Sequence, residues 1–432
     1  DSAVMLIDGA KGVEKQTRKL FEVCRMRGIP IFTFVNKMDR FGRDPLDLMS
    51  EIEEVLGIDA VPVNWPVGEG KDFRGVYDRL GDRLIMFSGG NHGRTLLEEN
   101  IIEGGLGSDA FNEALGIHAG ELTDALELLD GAGAEFDIER VRAGELTPMF
   151  FGSALTNFGV SPLLERFLEM APCPTARESD KGMVEPDSKD FSGFVFKIQA
   201  NMDKDHRDRI AFVRVCSGRF MAGKSTRHVR TNKPIRLANS TLLMGRDREE
   251  VSEAFPGDVV GLFDPGVFGI GDTLNDKGDF NYPGIPSFSP ECFARVEVAA
   301  VGKRKSLEKG IDQLVQEGAV QLFREPGGGS ATLILGAIGQ LQFDVFQHRL
   351  ASEYGVEPGL SPLDYKLARW PQADFDTEIF RFSERVRVYE DREGRAVLLA
   401  KSEWDLKRVE EKHPELKLAE TADPLRLATS GT

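Results

Sequence analysis

The sequence predicts a multidomain protein in which two α/β regions flank a β-rich middle region. Residues 1–180 alternate apolar strand-like runs with segments of helical periodicity. Residues 191–290 consist of short β-rich runs separated by glycine turns, which predict a closed β-barrel. Residues 291–432 predict the order strand, helix, strand, strand, helix, strand of a ferredoxin-like fold, followed by a charged tail. A polar segment, residues 175–190, predicts a linker.

The first region contains two buried strands that are each followed by a polar loop. Residues 29–35 form an apolar, β-branched run that ends at Asn36-Lys37-Met38-Asp39. A second run, Met149–Phe151, is followed by Gly152 and then Ser153-Ala154-Leu155. Open α/β sheets bind ligands at the carboxyl ends of their strands, so these two loops are the candidate ligand site.

Helices are predicted around these strands. Val13–Arg27 and Val160–Met170 carry apolar residues at helical spacing, and Pro45–Leu56 has a proline in its first turn. Asp39 and Ser153 are 114 positions apart, more than one strand and two helices require. We therefore expect an insertion within residues 67–138, whose helices are acidic.

The residue types of the two loops fit the recognition of guanine. The pattern N-K-x-D reads guanine in GTPases, because a carboxylate can accept hydrogen bonds from both N1–H and the N2 amine, a pair that adenine lacks. The Lys stem can lie along the base, and the Asn can brace the loops. A following S-A-L loop can offer a backbone N–H to guanine O6 and a Ser that orients the carboxylate. The predicted guanine-binding residues are Asn36, Lys37, Asp39, Ser153, Ala154 and Leu155.

Each pattern alone has an ordinary explanation. N-K-x-D also occurs by chance on solvated loops, and S-A-L is compatible with a simple strand-to-helix turn. Their occurrence in the right order, each after a buried strand, favours the GTPase interpretation.

Longer segments carry a more specific resemblance. The chain resembles the translational GTPases, and most closely the bacterial class II release factors, over nearly its whole length. The similar segments are 8–14, 65–68, 191–203, 206–212, 269–274 and 339–345. Residues 193–212 are the most specific of these and favour the release factors over the elongation factor that drives translocation.

The resemblance implies a fold, a function and partners. The fold is a P-loop-type GTPase domain, a β-barrel and a ferredoxin-like α/β domain. The function is recycling of class I release factors after peptide release, with GTP or GDP and Mg²⁺ as cofactors. The partners are the ribosome, through its RNA and proteins, and the class I factors, and the protein is a cytoplasmic monomer that does not bind membranes. Two alternatives stay open: a fragment of the translocating elongation factor, and a ribosome-binding module that does not hydrolyse GTP.

The phosphate-binding part of such a domain is not evident. No G-x-x-x-x-G-K-[ST] pattern occurs, and the run Gly327-Gly328-Gly329 is followed by Ser330 without a Lys. No D-x-x-G precedes the first strand, which begins close to Asp1. We expect an amino-terminally truncated, partial GTPase domain that lacks the phosphate loop. Such a chain would contain no catalytic residue and no Mg²⁺ ligand, and would be inactive alone.

Composition excludes several other classes. The four cysteines form no C-x-x-C pair, and the six histidines show no metal-ligand spacing, which argues against a disulfide framework and a zinc site. No apolar run approaches the ~20 residues of a membrane span. A reducing cytoplasm is the expected compartment.

Charge is distributed unevenly. The chain carries a net −17, but residues 195–238 contain eleven cations and three carboxylates, a net +8. A concentrated basic segment predicts contacts with RNA phosphates, and Arg207 and Arg209 are the candidates. The alternatives are ordinary solvent-facing strand residues, or ion pairs of these two arginines with acidic residues of the first domain.

Overall fold

The structure is a computed structural model, and its described residues form two compact units, Asp1–Thr175 and Ala176–Thr432. The described residues are 1–88, 98–200, 209–237, 240–244, 247–285, 287–297, 301–326, 333–380 and 383–422. Within them, no helix is long and apolar enough to cross a membrane.

The first unit is built on a parallel sheet. Its strands are β1 (Ala3–Asp8), β2 (Ile31–Asn36), β3 (Asp59–Pro62), β4 (Asn64–Val67), β5 (Gly75–Asp78), β6 (Arg83–Ser88), β7 (Glu98–Glu103) and β8 (Leu146–Phe151). Its helices are α1 (Lys15–Met26), α2 (Pro45–Leu56), α3 (Asp109–Leu115), α4 (Ala119–Ala132), α5 (Ile138–Arg142) and α6 (Val160–Met170). Strands β1, β2, β8 and β3 lie side by side in that order, and all their pairings are parallel.

The central strands are apolar because both faces of this sheet are covered. In β2, Ile31 and Val35 belong to one hydrophobic cluster, whereas Phe32 and Phe34 belong to another. This division follows from the period of two in a strand. Helix α2 begins at the predicted proline, and Asp44 caps it by accepting the Leu46 N–H at 2.7 Å.

An inserted antiparallel sheet, β4-β5-β6-β7, precedes α3 and α4. We expected the insertion within residues 67–138, and its first strand begins slightly earlier, at Asn64. The ring of Trp65 packs edge-on against Phe151 of the parallel sheet, with centroids 5.3 Å apart. The buried Asp78 carboxylate pairs at 2.9 Å with both Arg83 and Arg166 of α6. The insertion is thereby fixed to the sheet that carries the two predicted loops.

The second unit begins with a barrel region. Its strands are β9 (Arg177–Ser179), β10 (Gly182–Val184), β11 (Ser192–Ala200), β12 (Arg209–Ser217), β13 (Phe220–Met221), β14 (Ser225–His228), β15 (Lys233–Arg236), β16 (Ser240–Met244), β17 (Asp247–Glu250), β18 (Glu253–Ala254), β19 (Val259–Phe263) and β20 (Thr273–Asn275). Eight of them form one sheet in the order β15-β14-β20-β11-β12-β19-β16-β17. Val213, Leu262 and Leu274 from the middle of the sheet share one core with Ile235 of the edge strand β15.

Part of the predicted linker is structured. Strands β9 and β10 form a short antiparallel hairpin within residues 175–190. The Ser179 hydroxyl donates to the Gly182 carbonyl at 2.7 Å, and the Arg177 guanidinium lies 5.3 Å from the ring centre of Phe194 in the barrel. Polar composition concealed this hairpin because its contacts are made by a hydroxyl and a guanidinium.

The rest of the second unit is an α/β region. Its elements are β21 (Ser287–Phe288), β22 (Cys292–Glu297), α7 (Arg304–Gln316), β23 (Gln321–Arg324), β24 (Leu333–Ala337), α8 (Gln340–Tyr354), β25 (Gly359–Leu363), β26 (Leu367–Arg369), β27 (Val386–Glu390), β28 (Ala396–Ala400), α9 (Glu403–Lys412) and β29 (Thr421–Ala422). The sheet order β25-β22-β24-β23 is the antiparallel arrangement of a ferredoxin-like fold. Three strands that we did not predict, β27, β28 and β26, extend this sheet beyond β23.

Candidate functional site

The two predicted loops lie together because the strands that precede them are neighbours. The register of β2 and β8 pairs Val35 with Phe151, so both strands end at the same edge of the sheet. The Met38 N–H donates to the Gly152 carbonyl at 3.1 Å. The Asn36 Oδ1 accepts the Ala154 N–H at 2.9 Å. These bonds join segments that are more than a hundred residues apart in the chain.

The Asp39 carboxylate is held by Ser153. The Ser153 side chain is fully buried, and its Oγ donates to Asp39 Oδ1 at 2.5 Å. The Ser153 N–H donates to the Phe158 carbonyl at 2.8 Å, which fixes the position of the serine. Asp39 retains access to solvent, with 18% of its side chain exposed. A carboxylate has about four lone-pair sites, so Ser153 leaves Asp39 with capacity to accept a pair of ligand donors.

Asn36 braces both loops. Its Oδ1 accepts the Lys37 N–H at 2.8 Å in addition to the Ala154 N–H. The sequence predicts that a backbone N–H of the second loop reaches guanine O6. Because Asn36 already engages the Ala154 N–H, a bound base would either share this donor or use the N–H of the exposed Leu155.

Lys37 makes a contact that we did not predict. Its Nζ lies 2.6 Å from Asp8 Oδ2, at the carboxyl end of β1. The Lys37 ammonium lowers the pKa of the Asp8 carboxyl, against an opposing effect of burial. The strand order could have revealed Asp8, because β1 adjoins β2 and the register pairs Asp8 with Asn36.

The structure bears on one of the two predicted RNA-contact residues, Arg207 and Arg209. Arg207 lies outside the described residues. Arg209 is buried, and its Nε lies 2.6 Å from Asp264 Oδ2. Its other nitrogens donate to the Gln316 side chain at 2.8 Å and to the Phe268 carbonyl at 3.1 Å. The structure thus disagrees with the prediction for Arg209: this guanidinium connects the barrel to α7 instead of facing a phosphate, and its partners do not belong to the first unit.

Among the described residues, no group of three or more His, Cys, Asp or Glu side chains is arranged to hold a metal ion. Mg²⁺ in nucleotide sites is usually held by one or two protein carboxylates together with the phosphates.

Family models match the chain in three consecutive parts. The Elongation factor Tu GTP binding domain matches residues 1–173, and Elongation factor G domain 2 matches residues 190–277. The model described as "Class II release factor RF3, C-terminal domain" matches residues 282–410.

Curated relatives agree over almost the whole chain. The chain is 50% identical to "Peptide chain release factor 3" of Symbiobacterium thermophilum over 98% of its own length and 80% of the relative. The corresponding protein of Synechococcus elongatus is 49% identical, and the match covers 98% of this chain and 76% of that protein. The corresponding protein of Ligilactobacillus salivarius is 49% identical, and the match covers 97% of this chain and 79% of that protein.

The chain belongs to the peptide chain release factor 3 family. Members of this family are GTP-binding proteins of translation termination, and Asp39 lies within residues 1–173, the part of the chain that matches a GTP-binding domain. A protein of Thermus thermophilus with a solved crystal structure is similar in fold, with a TM-score of 0.61 and 23% identity. That similarity covers 84% of this chain and 53% of the solved one.

The buried hydroxyl of Ser153 supports a prediction about affinity. In the full-length protein, Ser153→Ala removes the donor that positions Asp39. We expect GDP to bind more weakly by about 1.5 kcal/mol, on the scale of a hydrogen bond to a charged group. Titration calorimetry measures the change. Thr156→Val in the same loop is the matched control, because the Thr156 hydroxyl donates to the Ser153 carbonyl, at 3.5 Å, and not to the Asp39 carboxylate. Equal effects of the two substitutions would contradict a specific role for the Ser153 hydroxyl.

Proposed function

We propose that the full-length protein is a GTPase that recycles class I release factors after peptide release, and that this chain supplies its guanine-reading residues. These are Asn36, Lys37, Asp39, Ser153, Ala154 and Leu155. The observation that carries the proposal is the Ser153–Asp39 hydrogen bond at the junction of two loops, in a chain of the release factor 3 family. This hydrogen bond supports the proposal because it fixes the Asp39 carboxylate at the carboxyl ends of the strands, the edge at which parallel α/β sheets bind ligands.

In this proposal the guanine site selects GTP and GDP over other nucleotides, and the nucleotide phosphates control the conformational change. Mg²⁺ is expected to accompany those phosphates. The γ-phosphate and its ion order flexible loops in GTPases, and such ordering changes how other domains engage a partner. We propose that this response displaces the class I factor from the ribosome. We further propose that the protein acts as a cytoplasmic monomer.

Two other functions fit the observations less well. A translocating elongation factor shares the first two domain types with this chain, but the match over residues 282–410 is to the carboxyl-terminal domain of a class II release factor. A ribosome-binding module that does not hydrolyse GTP would need no base specificity. The Asp39–Ser153 arrangement favours the nucleotide-dependent function over this second alternative.

Asp39→Asn provides a gain-of-specificity test. An Asn amide can donate a hydrogen bond to the C2 oxygen of xanthine, where the Asp carboxylate accepts one from the guanine amine. In the full-length variant, we expect the GTP-driven release of a labelled class I factor from termination complexes to be lost and to be restored by XTP. The expected loss of GTP affinity is roughly 2–5 kcal/mol. Stopped-flow fluorescence of the labelled factor follows the release.

The parent protein and Asp39→Glu are the controls for this test, since both retain an acceptor-only carboxylate. If the variant still releases the factor with GTP, and XTP has no effect on this release, Asp39 does not read the base. If the variant binds XTP in preference to GTP but XTP does not release the class I factor, the recycling function is refuted and the base site is not.

A basic hairpin is a better candidate for a ribosome contact than Arg209. The hairpin β14–β15 and its flanks, residues 222–238, contain five cations and no carboxylate. Lys224 and Arg230 pair with Asp276 and Asp272 of the same unit. The other three cations are exposed: Lys233, and Arg227 and Arg236, which donate to neutral groups, the Asn232 side chain and the Gly223 carbonyl.

We expect these exposed arginines to contact RNA phosphates. The double change Arg227→Ala and Arg236→Ala should weaken ribosome binding and reduce its salt slope by roughly one unit per lost contact, because fewer counterions are released. Binding is measured by co-sedimentation over a range of potassium concentrations. The double change Lys181→Ala and Lys189→Ala removes two exposed charges that lie before β11 and is the control. A slope that is unchanged in the hairpin variant would exclude the phosphate contact.

A further inference from the structure

A third loop contacts the first of the two loops that the sequence predicts, the one that follows β2. It comprises residues 8–12, which begin at the last residue of β1, and we call it the β1 loop. The Gly9 N–H donates to the Asn36 carbonyl at 2.9 Å, and the Arg43 N–H donates to the Gly9 carbonyl at 3.0 Å. A side chain at Gly42 would place its Cβ 2.7 Å from the Gly9 carbonyl oxygen, so this close approach requires glycine. The β1 loop is therefore packed directly against the segment that follows β2.

The β1 loop also holds its own carboxylate in place. Asp8 Oδ1 accepts the Ala10 N–H at 2.9 Å, which is an Asx-type turn. Its second oxygen is left to face Lys37, whose Nζ lies 2.6 Å away. The Asp8 side chain is 13% exposed, whereas that of Lys37 is 46% exposed. The Asp8 carboxylate is thus fixed by the backbone. The Lys37 side chain is long and would sample many rotamers without this ion pair.

Lys37 has an unusual backbone conformation that aims its side chain. Its φ of 71° lies in the left-handed region, which few non-glycine residues occupy. With the backbone fixed in this way and the ammonium anchored at Asp8, both ends of the Lys37 stem are fixed. The methylene groups then span the edge of the sheet between the ends of β2 and β1.

We propose that Asp8 is a positioning residue for guanine binding: it holds the Lys37 stem extended, so that the stem offers a preformed apolar surface to one face of the base. This proposal rests on the proposed guanine-reading role of Lys37 and Asp39. Ordering a lysine side chain costs conformational entropy, and the ion pair removes much of that cost before the ligand arrives. Asp8 itself does not touch the nucleotide.

The test is a double-mutant cycle between Asp8 and Lys37 in the full-length protein. Asp8→Asn keeps an oxygen for the Ala10 N–H and removes the charge that holds Lys37. We expect GDP to bind about fivefold more weakly, on the scale of a partly exposed ion pair. In a Lys37→Met background, which keeps the apolar stem and removes the ammonium, Asp8→Asn should cause no further loss. Asp124→Asn on α4 is the control, because it removes an exposed carboxylate elsewhere.

A second nucleotide separates this mechanism from an indirect effect on Asp39. The Lys37 stem contacts the face of the base, so Asp8→Asn should weaken GDP and IDP by the same factor, although IDP lacks the N2 amine. A loss confined to GDP would show that Asp8 acts through Asp39 and would overturn the proposal. The proposal would also be overturned if Asp8→Asn weakened GDP binding by the same factor in the Lys37→Met background as in the parent protein.

The outcomes also distinguish this inference from the proposed function. If Asp39→Asn changes base preference as expected while Asp8→Asn leaves GDP binding unchanged, only the role of Asp8 is wrong. If Asp39→Asn has no effect on base preference, the base site itself is wrong. Should Asp8→Asn fail to fold, Asp8→Ser replaces it in the cycle, because a serine hydroxyl can also accept the Ala10 N–H.

Discussion

The candidate site depends on the parallel pairing of β2 with β8. The register joins Thr33 to Met149, Phe34 to Phe150 and Val35 to Phe151, and it brings two distant loops to one edge of the sheet. A shift of this register by one residue would turn every apolar side chain to the opposite face. Since β2 packs different residues on its two faces, such a shift would disrupt both hydrophobic clusters. The packing of the sheet therefore also determines the distance between Ser153 and Asp39.

The same constraint explains how the domain tolerates a long insertion between its two base-reading loops. The entropic cost of closing a loop rises only slowly with its length, so an inserted subdomain with its own sheet adds little to the cost of pairing β2 with β8. The insertion is also anchored, through Trp65 on Phe151 and through Asp78 between two arginines. Because Phe151 is the last residue of β8, this packing supports the strand just before the Ser153 loop.

Much of the site was predictable because it lies in local sequence. Strand ends, capping residues and the N-K-x-D pattern are read from a few neighbouring residues, and they located Asn36, Asp39 and Ser153 next to one another. Asp8 was not predicted, because its role follows from a strand pairing and not from its own motif. Arg209 was misassigned for a related reason: charge counting recognises a basic segment but does not show which cation is buried against Asp264. The hairpin β9–β10 was missed because its composition is polar, and strands β26, β27 and β28 were missed because a ferredoxin-like fold has four strands and these three extend its sheet.

The most direct test of the central claim is a comparison of three nucleotides on the unmodified full-length protein. The claim is that the Asp39 carboxylate, oriented by Ser153, reads the N1–H and N2 amine of guanine. Calorimetric titration with GDP, IDP and ADP isolates this edge of the base, because the sugar and phosphates are the same. We predict that IDP binds more weakly than GDP by about 1.5–3 kcal/mol, the scale of one hydrogen bond to a charged group, and that ADP binds more weakly still. Equal affinities for GDP and ADP would contradict the account.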